Sequence, residues 1–319
     1  MKKVKNFIGH TKIFFGISIA LFVIGIVCNI IFGTQMDIQF TGGAIIQYSY
    51  TGQVNEEQLK AFLQNETTDH VSFTISRNLI AGDTDADTQE GYIIAVQFPG
   101  NETISLEEQQ ALTEKLQETY PDNNFQYSES NSVEPSMGWN FFLKCMTAVA
   151  IACVLMVLYV TLRFKKINGL SAGVMALVAL LHDVIMVYFC FIIFRMPLDS
   201  NFIAVVLMIL GYSLNDTIVI YDRVRENQSL LGNKTAPAEL FNLSASQVLK
   251  RTVCTSLTTL IAIACVFVVS MIFNLSSVIS FALPMMVGVI VGCYSSLCIA
   301  GPLWVIWQNH KLNTKKAKA

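Results

Sequence analysis

The sequence predicts a polytopic α-helical membrane protein with six transmembrane helices and an α+β, ferredoxin-like extracytoplasmic domain. Of its 319 residues, 53% are apolar and only 14% are charged, whereas soluble domains carry about 25% charge. Six stretches reach the roughly 20 apolar residues that a membrane span requires. They cover residues 13–33, 139–162, 168–194, 201–221, 252–273 and 279–306. A polar, acidic segment separates the first stretch from the second.

The first stretch, residues 13–33, is interpreted as a retained transmembrane anchor. Lys2, Lys3 and Lys5 precede it, as basic residues precede a signal peptide. The apolar run is longer than the core of a signal peptide, and no cleavage site of small residues follows it. Residues 1–12 then form a cytoplasmic N-terminus.

Residues 34–138 show strand and helix patterns in the order β-α-β-β-α-β, which is typical of a ferredoxin-like sandwich. Strands are predicted for residues 43–50, 71–76, 92–98 and 125–133, and helices for 56–64 and 105–120. Ser105 and Glu108 form a capping box for the second helix, and residues 82–91 form a turn-rich loop. No catalytic constellation is visible, and the lone His70 is interpreted as a surface or strand residue. Gly42 and Gly43, at the entry, predict a hinge.

The distribution of Lys and Arg predicts the orientation of the chain. With the N-terminus inside, 16 of the 21 basic residues lie in cytoplasmic segments. Both termini are then cytoplasmic, and residues 34–138 lie outside. Residues 139–306 form a five-helix bundle with a cytoplasmic loop at 222–251, and residues 307–319 form a basic cytoplasmic tail. The acidic outer domain argues against electrostatic binding of nucleic acid.

The eight cysteines all lie in the predicted spans and form no CxxC motif. They are interpreted as small apolar residues, and the four histidines show no spacing typical of a metal site. No metal and no cofactor are therefore predicted.

Ionisable residues inside membrane spans are candidate functional residues because a charge at mid-bilayer costs about 2.5–3.5 kcal/mol. Asp216 lies five residues before the end of the fourth predicted span, at Tyr221, which is too deep for its short side chain to reach the membrane surface fully. Its neighbour Asn215 can form hydrogen bonds to another helix. The alternative is that Asp216 is a paired or neutral carboxyl group that only holds helices together.

The fifth and third predicted spans each carry a second polar group. Arg251 shares a helical face with Thr255, Thr258 and Thr259, whose hydroxyls either solvate a proton path or bond to their own helix. His182 and Asp183, at the middle of the third span, form either a proton relay or a structural polar cluster. Two intramembrane aspartates also suggest an aspartyl protease, but neither local sequence resembles the motifs of such proteases.

The stretch 211–227, GYSLNDTIVIYDRVREN, closely resembles a signature of the SecD/SecF family, and specifically of the SecF subunits of the bacterial Sec protein translocase. Three further motifs match in order along the chain. They are the glycine motif 40–43, the third-span motif 182–184 and the fifth-span motif from Arg251 to Thr259. One position departs from the family: Gln39 stands where an Asp is common, and Asp37 lies two residues earlier.

The resemblance implies a non-enzymatic, proton-driven subunit of the translocase in the bacterial plasma membrane. Members pair with SecD, and the pair resembles the two halves of a resistance-nodulation-division exporter. The complex associates with the SecYEG channel, often with YajC and YidC, and uses the proton motive force to promote late steps of preprotein translocation. Asp216 and Arg251 match the family residues implicated in proton passage. The alternatives are a non-conducting scaffold for the channel and a proton-coupled exporter of small molecules.

Overall fold

The computed structural model describes a helical bundle and a smaller α+β unit inserted between the first and second spans. The described residues are 4–52, 54–55, 58–59, 61–63, 72–77, 91–99, 106–133, 135–232, 235–273 and 275–318. Most of the predicted loop 82–91, together with His70 and Ser105, lies outside them. The predicted helix 56–64 is described only in part.

The helices of the described chain are labelled in order from the N-terminus. They are α1 (Thr11–Phe32), α2 (Ile38–Thr41), α3 (Leu106–Thr119), α4 (Pro135–Arg163), α5 (Gly169–Ile193), α6 (Ser200–Leu231), α7 (Pro237–Ile272), α8 (Ser276–Ser295) and α9 (Gly301–Lys318). Six helical stretches in the described chain are long and apolar enough to cross a bilayer, the sixth being α8 and α9 together. This finding confirms the prediction of a polytopic helical membrane protein.

Helices α5 and α6 form the centre of the bundle. They bury 61% and 56% of their most apolar stretches, whereas α1, α4 and α7 bury 6–11%. Helix α5 contacts α1, α4, α6 and α8, and α6 contacts α7 and α8. The exposed apolar faces of the outer helices suit a lipid environment, and the two central helices carry the buried side chains of His182, Asp183 and Asp216.

The sixth span is not a uniform helix. A π-helical turn, Ser296–Ala300, joins α8 to α9, and all five of its residues are buried. Gly301 follows at once and lies against the ring of Phe241 on α7. The turn places the Ser296 hydroxyl against two successive turns of α6, at Ser213 and Thr217.

The prediction of a loop at residues 222–251 is wrong. Helix α6 continues to Leu231 and α7 begins at Pro237, a proline that suits the first turn of a helix. The extensions pack together because Asn227 donates hydrogen bonds to Ser244 and Gln247, each at 2.8 Å. Polar contacts of this kind stabilise helices beyond the apolar stretch from which the spans were predicted.

The described part of the α+β unit contains four strands in the order β2-β3-β1-β4, with every neighbouring pair antiparallel. They are β1 (Gly43–Thr51), β2 (Ser72–Arg77), β3 (Gly91–Pro99) and β4 (Gln126–Val133). Side chains alternate along β1 between buried and half-buried positions, as expected for a sheet with one face on a core. Leu112 and Leu116 of α3 pack on that core.

We predict that Gly301→Ala destabilises the bundle. A β-carbon at this position would lie 1.9 Å from an atom of the Phe241 ring, which is fully buried and has little room to move. Overpacking of this kind costs about 1–3 kcal/mol, which outweighs the gain of up to about 1 kcal/mol from replacing a helical glycine. The measurement is the thermal midpoint of the purified protein in detergent.

The control is Gly16→Ala on α1, where a β-carbon meets nothing within 4 Å. This variant should keep or raise the thermal midpoint. If both variants raised it equally, the close contact between Gly301 and Phe241 would be contradicted.

Candidate functional site

Asp216 lies on the buried face of α6 and is 3% exposed. Its Oδ2 accepts a hydrogen bond from the Ser256 hydroxyl of α7, at 3.3 Å. The same hydroxyl lies 3.0 Å from the carbonyl of Thr252 in its own helix. A hydroxyl has one proton, so Ser256 donates either to the carboxylate or to its own backbone. The acceptor of the Ser256 hydroxyl can therefore change when Asp216 gains or loses a proton.

The hydroxyl row predicted on α7 faces the wrong way for a path beside Asp216. Thr255 and Thr258 are exposed, Thr259 is half-buried, and all three donate hydrogen bonds to carbonyls of their own helix. The face that meets α6 instead carries Thr252 and Ser256. The Thr252 hydroxyl is buried and has no hydrogen-bond partner among the described residues.

Arg251 is exposed and acts on Asp216 at a distance. Within the described parts of the chain the two residues form no ion pair, although the Arg251 charge attracts the carboxylate electrostatically. A direct ion pair with Arg251 would hold the Asp216 carboxyl group in its ionised form. The observed geometry keeps the cation near the carboxylate without binding it.

His182 and Asp183 form a buried polar pair on α5, with exposures of 7% and 0%. His182 Nδ1 lies 3.1 Å from Asp183 Oδ1. Asp183 Oδ2 accepts hydrogen bonds from Ser213 of α6 at 2.6 Å and from Ser295 of α8 at 2.7 Å. Three helices thus contribute donors to one carboxyl group.

The polar cluster continues from His182 into the first span. His182 Nε2 lies 3.1 Å from the hydroxyl of Ser18, which lies 3.2 Å from the Tyr294 hydroxyl. Tyr294 in turn donates a 2.6 Å hydrogen bond to the carbonyl of Phe14. Ser18 and Gly25 are the two buried residues of α1, seven residues apart on one face.

The carboxyl groups of Asp183 and Asp216 are linked through two successive turns of α6. Ser213, which binds Asp183, lies one helical turn before Asp216. The Ser213 carbonyl accepts a hydrogen bond from Ser296 in the π-helical turn at 3.1 Å, and Thr217 donates to Ser296 at 2.9 Å. Such turns are frequent at functional sites in helices. This one contacts α6 on both sides of Asp216, at Ser213 and Thr217.

Asn215 points away from Asp216. It lies on an exposed stripe of α6 with Ala204, Met208 and Gly211, which repeats at helical spacing. A β-carbon on Gly211 meets nothing within 4 Å. Exposure of an amide at this depth in a membrane is unfavourable, so the stripe suits contact with another helix better than contact with lipid.

The paired glycines adopt backbone conformations that other residues rarely reach. Gly42 has φ of 83° and Gly43 has φ of 140°. A β-carbon on Gly43 would lie 2.2 Å from the carbonyl oxygen of Phe98 in β3. The glycines therefore allow β1 to begin directly after α2 and to pair closely with β3.

A compact joint connects α1, the sheet and the bundle. The amide of Asp37 donates to the Leu198 carbonyl at 3.0 Å, and the amide of Leu198 donates to the Gln35 carbonyl at 2.8 Å. Asp37 caps α2 and accepts a 3.1 Å hydrogen bond from Gln97 of β3. Asp37 thus has structural contacts of its own, two residues before Gln39, where the motif departs from the family pattern.

The residues that complete both carboxyl sites were absent from the predicted site. Thr252 and Ser256 belong to the quoted fifth-span motif, but the prediction chose the hydroxyls on its opposite face. The remaining contributors are hydroxyl residues on helices far apart in sequence: Ser18, Ser213, Tyr294 and Ser295. Their helical positions alone do not show which helix faces which. Among the described residues no cluster of His, Cys, Asp and Glu is suited to a metal ion.

A profile of the family described as "Protein export membrane protein SecD/SecF, C-terminal" matches residues 111–310. The protein translocase subunit SecF of Petrotoga mobilis is 34% identical over 317 residues, covering 98% of this chain and 99% of that protein. SecF of Sebaldella termitidis is 31% identical, covering 90% of this chain and 86% of that protein. SecDF of Bacillus subtilis is 30% identical, covering 98% of this chain but 39% of that protein.

Two solved structures of SecDF are similar to the whole chain. The crystal structure of SecDF from Thermus thermophilus, titled a translocon-associated membrane protein, gives a TM-score of 0.75 at 30% identity over 97% of this chain. SecDF in a super-membrane-facing form gives 0.70 at 30% identity over the full chain. This chain spans 39% and 41% of the lengths of those two proteins.

We predict that acidification strengthens the joint through Asp199, which caps α6 next to Leu198. Burial raises the pKa of Asp199, the Phe202 amide opposes this shift, and the charge of Asp37 adds to it. Because the folded pKa lies above the unfolded value of about 3.9, the folded state gains stability as pH falls through the folded pKa. Asp199→Asn keeps the cap and should lose this gain.

The measurement compares thermal midpoints of the wild-type protein and Asp199→Asn at pH 7 and at pH 4.5. The midpoint of the wild type should rise relative to that of the variant on acidification. A change of 1 kcal/mol corresponds to about 2–4 °C in large domains. An identical difference at both pH values would contradict the buried position of the carboxyl group.

Proposed function

The chain belongs to the SecD/SecF family of protein-export membrane proteins, and we propose that it couples proton passage at Asp216 to preprotein translocation. In this role it is an accessory, non-enzymatic subunit of the Sec translocase. The single observation that carries the proton-coupled part is the buried Asp216 carboxyl group, which is bonded to a hydroxyl and is near a cation without pairing with it.

Protonation and release at Asp216 would change its interactions with α7. The ionised carboxylate accepts a strong, charge-assisted hydrogen bond from Ser256 and attracts Arg251. The protonated form loses the attraction to Arg251 and accepts only a weaker hydrogen bond. When Asp216 is protonated, the Ser256 hydroxyl can donate its hydrogen bond to the Thr252 carbonyl instead. The unpartnered hydroxyl of Thr252, one turn from Ser256, offers a place for water on the path. Each proton cycle therefore changes the packing of α6 against α7.

The membrane potential is large enough to drive this cycle. One charge that crosses 100 mV releases about 2.3 kcal/mol, which is comparable to the cost of a charge at mid-bilayer. We propose that the end of the bundle with Arg163 and Arg223 is cytoplasmic, as the excess of basic residues indicates. Protons then enter from the side of the α+β unit and leave near Arg251.

We propose that the exposed stripe of α6 binds a SecD subunit. SecDF relatives join the two halves in one chain, and this chain spans only part of their length. Gly211 permits a close helix approach, and Asn215 offers hydrogen bonds that lipid cannot satisfy. A partner helix on this stripe would place its own residues within about one helix diameter of Asp216.

Association with SecYEG, YajC and YidC is proposed from the family alone.

We propose that the α+β unit is a ferredoxin-like extracytoplasmic domain that acts as a lever on preproteins. Its strand order and antiparallel pairing support this assignment. The joint at Asp37 and Leu198 connects it to α1 and to the α5–α6 connection. A change in α6 or α1 can therefore reach the sheet through backbone hydrogen bonds.

We predict that Asp216→Asn abolishes proton-dependent translocation by the assembled complex. Asparagine keeps the size and the hydrogen bond to Ser256 but does not take up and release a proton at physiological pH. Translocation of a preprotein into membrane vesicles and proton flux should both fall to the level seen without the complex. Thr258→Val is the matched control because its hydroxyl is exposed and bonded to its own helix.

Two outcomes would contradict the proposal. Normal proton-dependent translocation in Asp216→Asn complexes would exclude Asp216 from the relay. Retained activity in the charge-swapped variant Asp216→Arg with Arg251→Asp would instead support the scaffold role, because static attraction survives the swap and a proton path does not.

We predict that Gly211→Val weakens binding of the SecD partner without destabilising this chain alone. Its side chain would enter open space in the isolated chain but a packed contact in the complex. Overpacking of about 1–3 kcal/mol corresponds to a loss of affinity of about 5-fold to 150-fold. The measurement is recovery of the partner on purification, with Gly16→Val on α1 as the control. Equal recovery from both variants would place the interface elsewhere.

A further inference from the structure

Four consecutive polar contacts connect the buried Asp183 to the backbone of the first span. In order they are Asp183–His182 at 3.1 Å, His182–Ser18 at 3.1 Å, Ser18–Tyr294 at 3.2 Å and Tyr294–Phe14 carbonyl at 2.6 Å. The side chains involved come from α1, α5 and α8. The Asp216 cycle proposed above uses none of these contacts.

The protons needed for these four contacts can be counted. The Phe14 carbonyl only accepts, and two oxygens at 2.6 Å require a proton between them, so Tyr294 donates to it. Ser18 must then donate to Tyr294, and His182 Nε2 must donate to Ser18. The contact of His182 Nδ1 with Asp183 needs one proton more. A neutral imidazole carries one proton. Tyr294, Ser18 and a neutral His182 thus supply three protons for four contacts, and the fourth must be held by the His182–Asp183 pair.

We propose that His182 is a stored imidazolium, paired with the Asp183 carboxylate, and that its proton holds the first span against the bundle through Ser18 and Tyr294. The inference rests on the proposed function in one respect, since it gives the stored proton a role in moving the outer unit. Ser18 and Tyr294 are positioning residues in this account. They set the proton state of His182 by requiring a donor at Nε2.

The hydrogen bonds to Asp183 favour the carboxylate form. Ser213 and Ser295 both donate to Oδ2, at 2.6 and 2.7 Å, and the imidazolium donates to Oδ1. Hydrogen bonds to a charged acceptor are stronger than those between neutral groups. A paired imidazolium and carboxylate also have no net charge, which lowers the cost of burying them in a membrane.

The titratable groups that face His182 in the described structure are few. Asp183 lies on its own helix, and Tyr294 approaches from α8. Helix α1 contributes the Ser18 hydroxyl and the ring of Phe22, whose centroid is 5.2 Å from that of His182. Helix α6 reaches the pair through Ser213, with Asp216 one turn further along.

Loss of the stored proton would weaken the contact of α1 with the bundle. His182 Nε2 would then accept from Ser18, and no proton would remain between Ser18 and Tyr294, whose oxygens are 3.2 Å apart. Lone pairs would face each other at this contact. Helix α1 leads into the joint at Gln35 and Asp37, so its loosening is transmitted toward the sheet.

Solid-state NMR of ¹⁵N-histidine in the complex with the SecD partner, in lipid bilayers at pH 7, tests the proposal. The spectrum of a His182→Gln complex is subtracted to isolate the His182 signals. Both ring nitrogens should carry protons in the wild type. Tyr294→Phe removes the Ser18–Tyr294 and Tyr294–Phe14 contacts. The two remaining contacts need only two protons, one from a neutral His182 and one from Ser18. One unprotonated His182 nitrogen should therefore appear in this variant.

Tyr188→Phe is the matched control. Tyr188 contacts Asn29 of α1 and Thr34 just beyond its end, but it is not part of the chain of contacts to Asp183. This variant should keep the imidazolium signal. An unprotonated His182 nitrogen in the wild type overturns the proposal by itself, and so does an imidazolium signal that persists in Tyr294→Phe.

Amide exchange of α1 in the same wild-type complex tests the link to the first span. Exchange near Ser18 should accelerate over the pH range in which the imidazolium signal disappears. Unchanged exchange across that range overturns the coupling. These spectra do not depend on transport, so a normal proton flux in Asp216→Asn would contradict the proposed function and leave this assignment intact.

Discussion

The burial of two carboxyl groups in an apolar bundle is the constraint on which the rest of this structure depends. Asp183 and Asp216 are 0% and 3% exposed, in helices with long apolar faces. A buried charge is tolerated only with hydrogen-bond donors close by. The packing of α1, α6, α7 and α8 brings serine hydroxyls to these two places.

The two acidic sites meet this constraint in different ways. Asp183 is held by three donors from three helices and sits in a closed cluster. Asp216 has one long hydrogen bond, at 3.3 Å, from a hydroxyl with an alternative acceptor. The first arrangement suits a proton that is held, and the second suits a proton that is exchanged. Ser213 contacts Asp183 through its hydroxyl and the π-helical turn through its carbonyl, one helical turn before Asp216.

The sequence was sufficient for the number of spans and for the strand pattern of the α+β unit, because both follow from runs and alternation of apolar residues along the chain. It also singled out Asp216, Arg251 and Asp183, since charges within apolar runs are conspicuous. It failed at the end of α6, where polar contacts of Asn227 extend the helix beyond its apolar stretch. It chose Thr255 rather than Ser256 because helical spacing defines faces but not which face meets a neighbour.

If Asp216 gains and loses a proton while the complex works, its carboxyl group changes its infrared absorption. Infrared difference spectroscopy of the complex in lipid, on a rapid acidification of the side facing the α+β unit, measures this directly. A carboxylic acid C=O band should appear on acidification, decay as the proton leaves, and be missing from Asp216→Asn. A spectrum identical in wild type and variant would contradict proton exchange at Asp216.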